Sequence, residues 1–311
     1  MTKVSVVMSV HNGERYLSEA IKSILWQTFR DFEFIIVDDG SSDSTAEILS
    51  EFSRQDSRIQ AISLKTNMGL PHGLNLGIKQ ATGDIIARMD CDDISAPERF
   101  ERQLTAMKDT GADVLGTFAY RLRANGTARA GKELPASEEE ISNRLPFGNC
   151  IVHPSVMMRK KVLEEVGGYD EEYLNSQDYD LWLRLKSVAR IQNLKEPLVG
   201  YRKHNERISA KKNKGKQTHF SVCAALNYFR AAFDMDRISP KESHLRIATG
   251  LCEVMQAGLN DIERKCVNRH IIRYARNSVR DRDQRNMLKE VLFETATLRE
   301  KCKWQYYQLI G

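Results

Sequence analysis

Short apolar runs alternate with stretches of helical period through the first hundred residues. "VSVVMSV" (4–10) is a valine-rich run that stops at the polar "HNGE", which predicts a buried strand. "ERYLSEAIKSILWQ" (14–27) then places Leu17, Ile21, Ile24 and Leu25 at helical spacing. "FEFIIVDDG" (32–40) is a second buried strand closed by a glycine turn, and "SDSTAEILSEF" opens the next helix with capping residues. "RIQAISL" reads as a third strand, "GLPHGLNLGIKQA" leads into a helix, and "DIIARMD" is a fourth strand. This repeated βα rhythm predicts a parallel α/β sheet with helices on both faces. Ligands of such sheets bind beyond the carboxyl ends of the strands. Three of those ends carry polar clusters: "HNGE", "DDGSSD" and "DCDD".

Further along, residues 101–150 read as one helix, a strand near "GADVLGTFAY" and a polar hairpin around "RANGTARAGKE". "HPSVMMRK" (153–160) is another strand, "KVLEEVGGYDE" a helix stopped by Gly-Gly, and "SQDYDLWLRLKSVA" an amphipathic helix. The basic stretch "KKNKGKQ" (211–217) marks a boundary between a domain of residues 1–210 and a C-terminal region of residues 211–311. Apolar positions beyond it predict about four helical segments in a small bundle.

Composition narrows the class. With 41% hydrophobic and 29% charged residues in 311, the chain is of the ordinary globular type. No apolar run reaches the roughly 20 residues of a membrane span. The start lacks a basic leader and cleavage site, and the six cysteines are scattered, so a cytoplasmic location with reduced thiols is expected. The net charge of +5 is uneven: residues 211–311 carry 20 Lys+Arg against 11 Asp+Glu, hence +9, leaving −4 for residues 1–210. Aromatics are not interleaved with the basic residues as in a single-strand groove, so no nucleic acid partner is expected. A phospholipid surface or a pyrophosphate carrier suits the charge as well.

The polar clusters hold the candidate chemistry. Asp90, Asp92 and Asp93 fall within four residues, and in an extended segment Asp90 and Asp92 point the same way. They form either a hard oxygen site for Mg²⁺ or Mn²⁺ or a solvated turn before "SAPERF". Asp38 and Asp39 either hydrogen-bond a nucleotide or cap the following helix. Asp178 lies near a helix start, as a general base or an N-cap. His153 and His204 are ligands, donors or structural histidines. GxGxxG, Walker, GxSxG and HExxH motifs are absent.

In this order the motifs resemble the inverting family 2 glycosyltransferases of GT-A fold, of bacterial surface-polysaccharide type. The resemblance rests on "VSVVMSVHNGERYLSEAIKSILWQTFRDFEFIIVDDGSSDST", "NMGLPHGLNLGIKQATGDIIARMDCDDISAPERFERQ", "HPSVMMRKKVLEEVGGYDE", "SQDYDLWLRL" and "YRKHNERIS". It covers about residues 3–210. It implies a GT-A type, Rossmann-like, mostly parallel sheet flanked by helices, followed here by the helical C-terminal region. It also implies roles. Asp39 would recognise the nucleotide base, with Val10 and His11 lining the same pocket. Asp90 would lie near the ribose and Asp92 on the metal, as the DxD pair. Asp178 would be the catalytic base, and Arg202 and His204 would meet the diphosphate or the metal. Two departures stand out: Gln177 where many relatives have Glu, and Leu74 where many have Arg.

The implied reaction moves a sugar from a nucleotide-diphosphate donor, a UDP-sugar above all, to a hydroxyl of a saccharide or polyprenyl-linked acceptor. Mn²⁺ or Mg²⁺ would be the cofactor. A sugar-phosphate nucleotidyltransferase would need a glycine- and arginine-rich loop after the first strand, and "SVHNGERY" has one glycine. A non-catalytic subunit of an assembly complex would not need intact Asp90, Asp92 and Asp178. The basic C-terminal region, with "KCKWQYYQLI" (301–310), suggests peripheral membrane docking; packing on the catalytic domain or on a second copy in a homo-oligomer is the alternative.

Overall fold

The computed structural model describes residues 3–122, 127–204, 213–279 and 282–295. They fall into two compact units. The first comprises residues 1–144, 150–171 and 184–204, and the second residues 145–149, 172–183 and 205–311.

The first unit is built on a sheet whose parallel part follows the apolar runs: β1 (Val4–Val10), β2 (Phe32–Asp38), β3 (Ile59–Ser63) and β4 (Ile85–Arg88). They lie in the order β3-β2-β1-β4, all parallel. β1 is buried at every position. Its even residues, Val4, Val6, Met8 and Val10, share a core with α1 (Leu17–Leu25), α2 (Thr45–Gln55) and α4 (Arg99–Thr110) through Leu17, Ile21, Ile24, Leu49 and Phe100. The odd face meets α3 (Leu70–Gln80), where a Cβ on Gly77 would stand 2.6 Å from Val7. Helices therefore cover both faces. Leu74 is buried on α3 and belongs to the core.

The remaining strands extend the sheet with mixed directions. β4 pairs antiparallel with β8 (Met157–Arg159), which pairs antiparallel with β6 (Val114–Leu122). β6 runs parallel to β9 (Ile191–Arg202), and β9 holds the short β5 (Ile94–Ser95) antiparallel. The expected polar hairpin is β6 with β7 (Ala128–Ala130), and its tip lies outside the described residues. The Gly-Gly stop after α6 (Lys160–Glu165) is observed, with both Gly167 and Gly168 at positive φ. β9 and α5 (Glu138–Arg144) are elements the sequence pattern did not announce.

The second unit contains four helices among its described residues after residue 204: α8 (Lys214–Ala231), α9 (His244–Gln256), α10 (Asp261–Asn277) and α11 (Arg282–Thr295). Their apolar faces bury Val222, Leu226, Phe229, Leu251, Val254 and Ile271. α10 starts with a capping box formed by Asn260 and Glu263. The boundary expected at 210/211 falls among residues outside the description, and α8 already begins inside "KKNKGKQ". Residues 172–183 also belong to the second unit, tied by the Ser176 and Ser221 hydroxyls at 2.9 Å and by the Tyr173 and Phe220 rings. Among the described residues no helix is long and apolar enough to cross a membrane. The "KCKWQYYQLI" segment lies outside them.

Candidate functional site

The carboxyl ends of β1 and β2 are laced together by their own loops. The Asp39 amide donates to the Val10 carbonyl at 2.8 Å, and His11 Nδ1 donates to the Asp39 carbonyl at 2.9 Å. Asn12 Oδ1 accepts from the Ser42 amide, Asp43 from the Glu14 amide, and Glu14 from the Ser44 amide. Gly40 turns at φ +69°, and a Cβ there would stand 2.6 Å from the Thr66 backbone, so the turn admits only glycine. Val10, His11 and Asp39 thus stand together.

Asp39 has a structural task that the sequence did not reveal. Its side chain is 2% exposed, and its two oxygens accept from the backbone amides of Met68 at 2.7 Å and Gly69 at 2.8 Å. It anchors the loop that enters α3. A carboxylate has about four acceptor positions, so two remain for a ligand.

At the end of β4, oxygens of Asp90, Asp92 and Asp93 lie within 4.8 Å of one another. Three hard oxygen donors at that spacing fit Mg²⁺ or Mn²⁺. The end of β9 closes against them. His204 Nε2 donates to Asp92 Oδ2 at 2.8 Å, and the Arg202 amide donates to Asp93 Oδ1 at 2.8 Å. The Arg202 guanidinium donates to the Asp92 carbonyl at 3.0 Å and to Glu19 at 2.6 Å, and stands 4.5 Å from the Tyr16 ring centre. The structure brings Asp90, Asp92, Arg202 and His204 together. It adds Asp93, Glu19 and Tyr16. Asp93 was legible as the fourth letter of "DCDD"; Glu19 and Tyr16 carry no sequence signal beyond their place at the start of α1.

Beneath the cluster lie two buried cations. Arg88 pairs with Asp90 at 2.5 Å. Arg99 donates to the Arg88 carbonyl at 2.9 Å and to Gln103 at 2.9 Å; burial and the neighbouring Arg88 push its guanidinium down to about 9. Burial, with Arg88 nearby, also holds His153 well below its ordinary value, so it is neutral, and its Nε2 lies 2.7 Å from the Tyr169 hydroxyl.

Asp178 belongs to the second unit, in the first turn of α7 (Gln177–Leu185). Asn149 Nδ2 donates to its Oδ2 at 2.6 Å. Ser176, just ahead of the helix, takes positive φ (59°), and Gln177 is buried. A carboxylate in a first helical turn is favoured by the helix dipole.

Sheet order, strand-end loops and acidic cluster together define a nucleotide-sugar transferase of the GT-A class. The chain belongs to glycosyl transferase family 2, which it matches over residues 5–167. It is 37% identical over 207 residues to the O-antigen biosynthesis glycosyltransferase WbnJ of Escherichia coli, covering 65% of this chain and 80% of that one. It is 32% identical over 240 residues to the E. coli UDP-Gal:alpha-D-GlcNAc-diphosphoundecaprenol beta-1,3-galactosyltransferase, covering 74% of this chain and 85% of that one. Among solved structures, S. aureus TarS 1-349 in complex with UDP-GlcNAc superposes with a TM-score of 0.65 at 20% identity, over 96% of this chain and 93% of that one. Against a longer TarS chain the match spans 55% of that chain. The chain is a glycosyltransferase of the surface-polysaccharide type; nothing in these likenesses favours the nucleotidyltransferase alternative.

Proposed function

We propose that this chain is a metal-dependent, inverting hexosyltransferase that uses a UDP-sugar, with Asp178 as its base. The observation that carries the donor site is the grouping of the Asp90, Asp92 and Asp93 carboxylates within 4.8 Å beside Arg202 and His204 at the strand ends. A UDP donor is supported by the name of the E. coli galactosyltransferase and by the UDP-GlcNAc complex of TarS. The same E. coli name supports a polyprenyl-diphosphate-linked saccharide as acceptor.

In this reading Val10, His11 and Asp39 bind the nucleotide base, and Asp90 the ribose. Asp92 and Asp90 would hold Mn²⁺ or Mg²⁺, with His204 beside them. When bound, the cation supplies charge neutralisation on the leaving diphosphate. Arg202 orients the diphosphate once it exchanges its Glu19 partner for the ligand. The acceptor oxygen attacks the anomeric carbon while the carbon–oxygen bond to the diphosphate breaks. Asp178 takes the acceptor proton, because a hydroxyl with a pKa far above 7 needs a carboxylate to deprotonate it during attack. A single displacement from the face opposite the leaving group inverts the centre. Peripheral contact with the inner face of an anionic membrane is part of the same proposal, supported by the +9 excess of residues 211–311, with a homo-oligomer as the alternative use of that region.

Asp178→Asn tests the base. Transfer falls about 10²–10⁴-fold while nucleotide-sugar binding by calorimetry stays within a few-fold of wild type. Transfer within a few-fold of wild type moves the base elsewhere.

A further inference from the structure

Arg88 is the last residue of β4 and is 2% exposed. A buried guanidinium is unfavourable by itself, and replacing a buried ion pair by hydrophobic residues is often neutral or stabilising. Its presence calls for a task. Arg88 pairs with Asp90 at 2.5 Å, while the Asp90 side chain is 25% exposed. The pair therefore links the interior to the surface of the acidic cluster. Holding one oxygen of a carboxylate fixes the plane of the group and the direction of its second oxygen.

The surroundings of Arg88 are themselves fixed. Its amide donates to the Val156 carbonyl at 2.9 Å, and its carbonyl accepts from Arg99. Asp93 and the Tyr169 hydroxyl lie within electrostatic range of its guanidinium. Tyr169 is pinned in turn: its amide donates to Asn75 Oδ1 at 2.9 Å, its carbonyl accepts from Asn75 Nδ2 at 2.8 Å, and its hydroxyl meets His153. Two buried glutamines complete the frame. Gln103 donates to the carbonyls of Leu115 and Ser155, and Gln27 Oε1 accepts from the Phe100 amide. The Arg88 backbone and the Tyr169 beside it are thus held by hydrogen bonds from other elements of the first unit.

We infer that Arg88 is a positioning residue of the transfer reaction, which holds the Asp90 carboxylate in the orientation that receives the donor and its cation. This rests on the donor-site reading of Asp90 above. Groups that orient ligating carboxylates typically matter 10–100-fold in metal affinity or activity. Lysine keeps the charge, but its ammonium sits on a flexible stem and lacks the rigid, planar guanidinium that fixes the direction of the contact.

The test uses the full chain as wild type, Arg88→Lys, Arg88→Gln and Asp90→Asn, with melting, kcat, donor KM and half-saturating Mn²⁺ measured on each. Arg88→Lys is expected to fold, to keep donor KM within about threefold, and to lose about 10–100-fold in kcat with a comparable rise in half-saturating Mn²⁺. Arg88→Gln falls below Arg88→Lys, so the conservative variant rescues in part. A folded Arg88→Lys within twofold of wild type in kcat and Mn²⁺ dependence overturns the inference. So does loss of folding in this charge-preserving variant, because that makes the arginine structural. Loss of activity in Asp90→Asn without loss in Arg88→Lys removes this inference alone. Full activity of Asp90→Asn removes the donor-site reading and this inference together.

Discussion

Asp39→Asn tests the anchoring of the loop that enters α3 together with the proposed base contact. Both oxygens of Asp39 accept backbone amides, Met68 at 2.7 Å and Gly69 at 2.8 Å, in a site 2% exposed. Hydrogen bonds to an ionised group contribute about 1.5–3 kcal/mol each. Asparagine keeps one acceptor and turns an NH₂ toward the other amide. One charge-assisted bond is lost, the second becomes neutral, and a buried N–H is left facing another donor. The expected loss is about 2–4 kcal/mol, a large part of the roughly 5–15 kcal/mol that holds a typical domain. For a unit near 200 residues this lowers Tm by about 10 °C. Urea unfolding and thermal melting measure the stability, and calorimetry with UDP measures binding. We expect both to fall, since the loop entering α3 is released along with the base contact. A variant as stable as wild type with UDP binding abolished refutes the anchoring argument. A destabilised variant with UDP affinity intact refutes the base contact.

Two other consequences concern the frame behind the acidic cluster. His153 is held neutral in the fold, so below its ordinary value of 6.5 only the unfolded chain takes up the proton. Stability therefore falls with acidification from pH 6.5, by up to about 1.4 kcal/mol per pH unit for this residue. His219 and His244, also lowered by burial, add to the slope. His153→Gln should flatten the dependence between pH 6.5 and 5, measured by urea unfolding, and an unchanged slope contradicts the assignment. Gln103→Leu leaves Arg99 Nε and the carbonyls of Leu115 and Ser155 without their bonds. Its expected effect is about 3–5 kcal/mol of lost stability, and less than 1 kcal/mol would show that the network has other partners to use.

The parallel half of the sheet was legible because β1, β2 and β4 are largely apolar on both faces and the helices between them keep a clear period. β9 was hidden. Lys195, Glu196 and Pro197 interrupt its apolar alternation, and the sheet absorbs them through register shifts around Phe118 on the neighbouring strand. The acidic cluster was legible from spacing alone, yet its support was not. Arg88, Arg99, Gln27 and Gln103 belong to residue types that normally face water, so nothing local marks them as buried. The anchoring by Asp39 depends on a loop 29 residues away. The grouping of residues 172–183 with the C-terminal helices likewise depends on contacts such as Ser176 with Ser221, 45 residues apart, which no local pattern encodes.

The central claim is that the carboxylates at the end of β4 take a metal–diphosphate. Calorimetric titration of UDP into the wild type and into Asp92→Ala, each with Mn²⁺ and with EDTA, tests it most directly. The account predicts binding by the wild type that strengthens at least tenfold with Mn²⁺, and no such gain in Asp92→Ala. Equal affinity in all four titrations would contradict it.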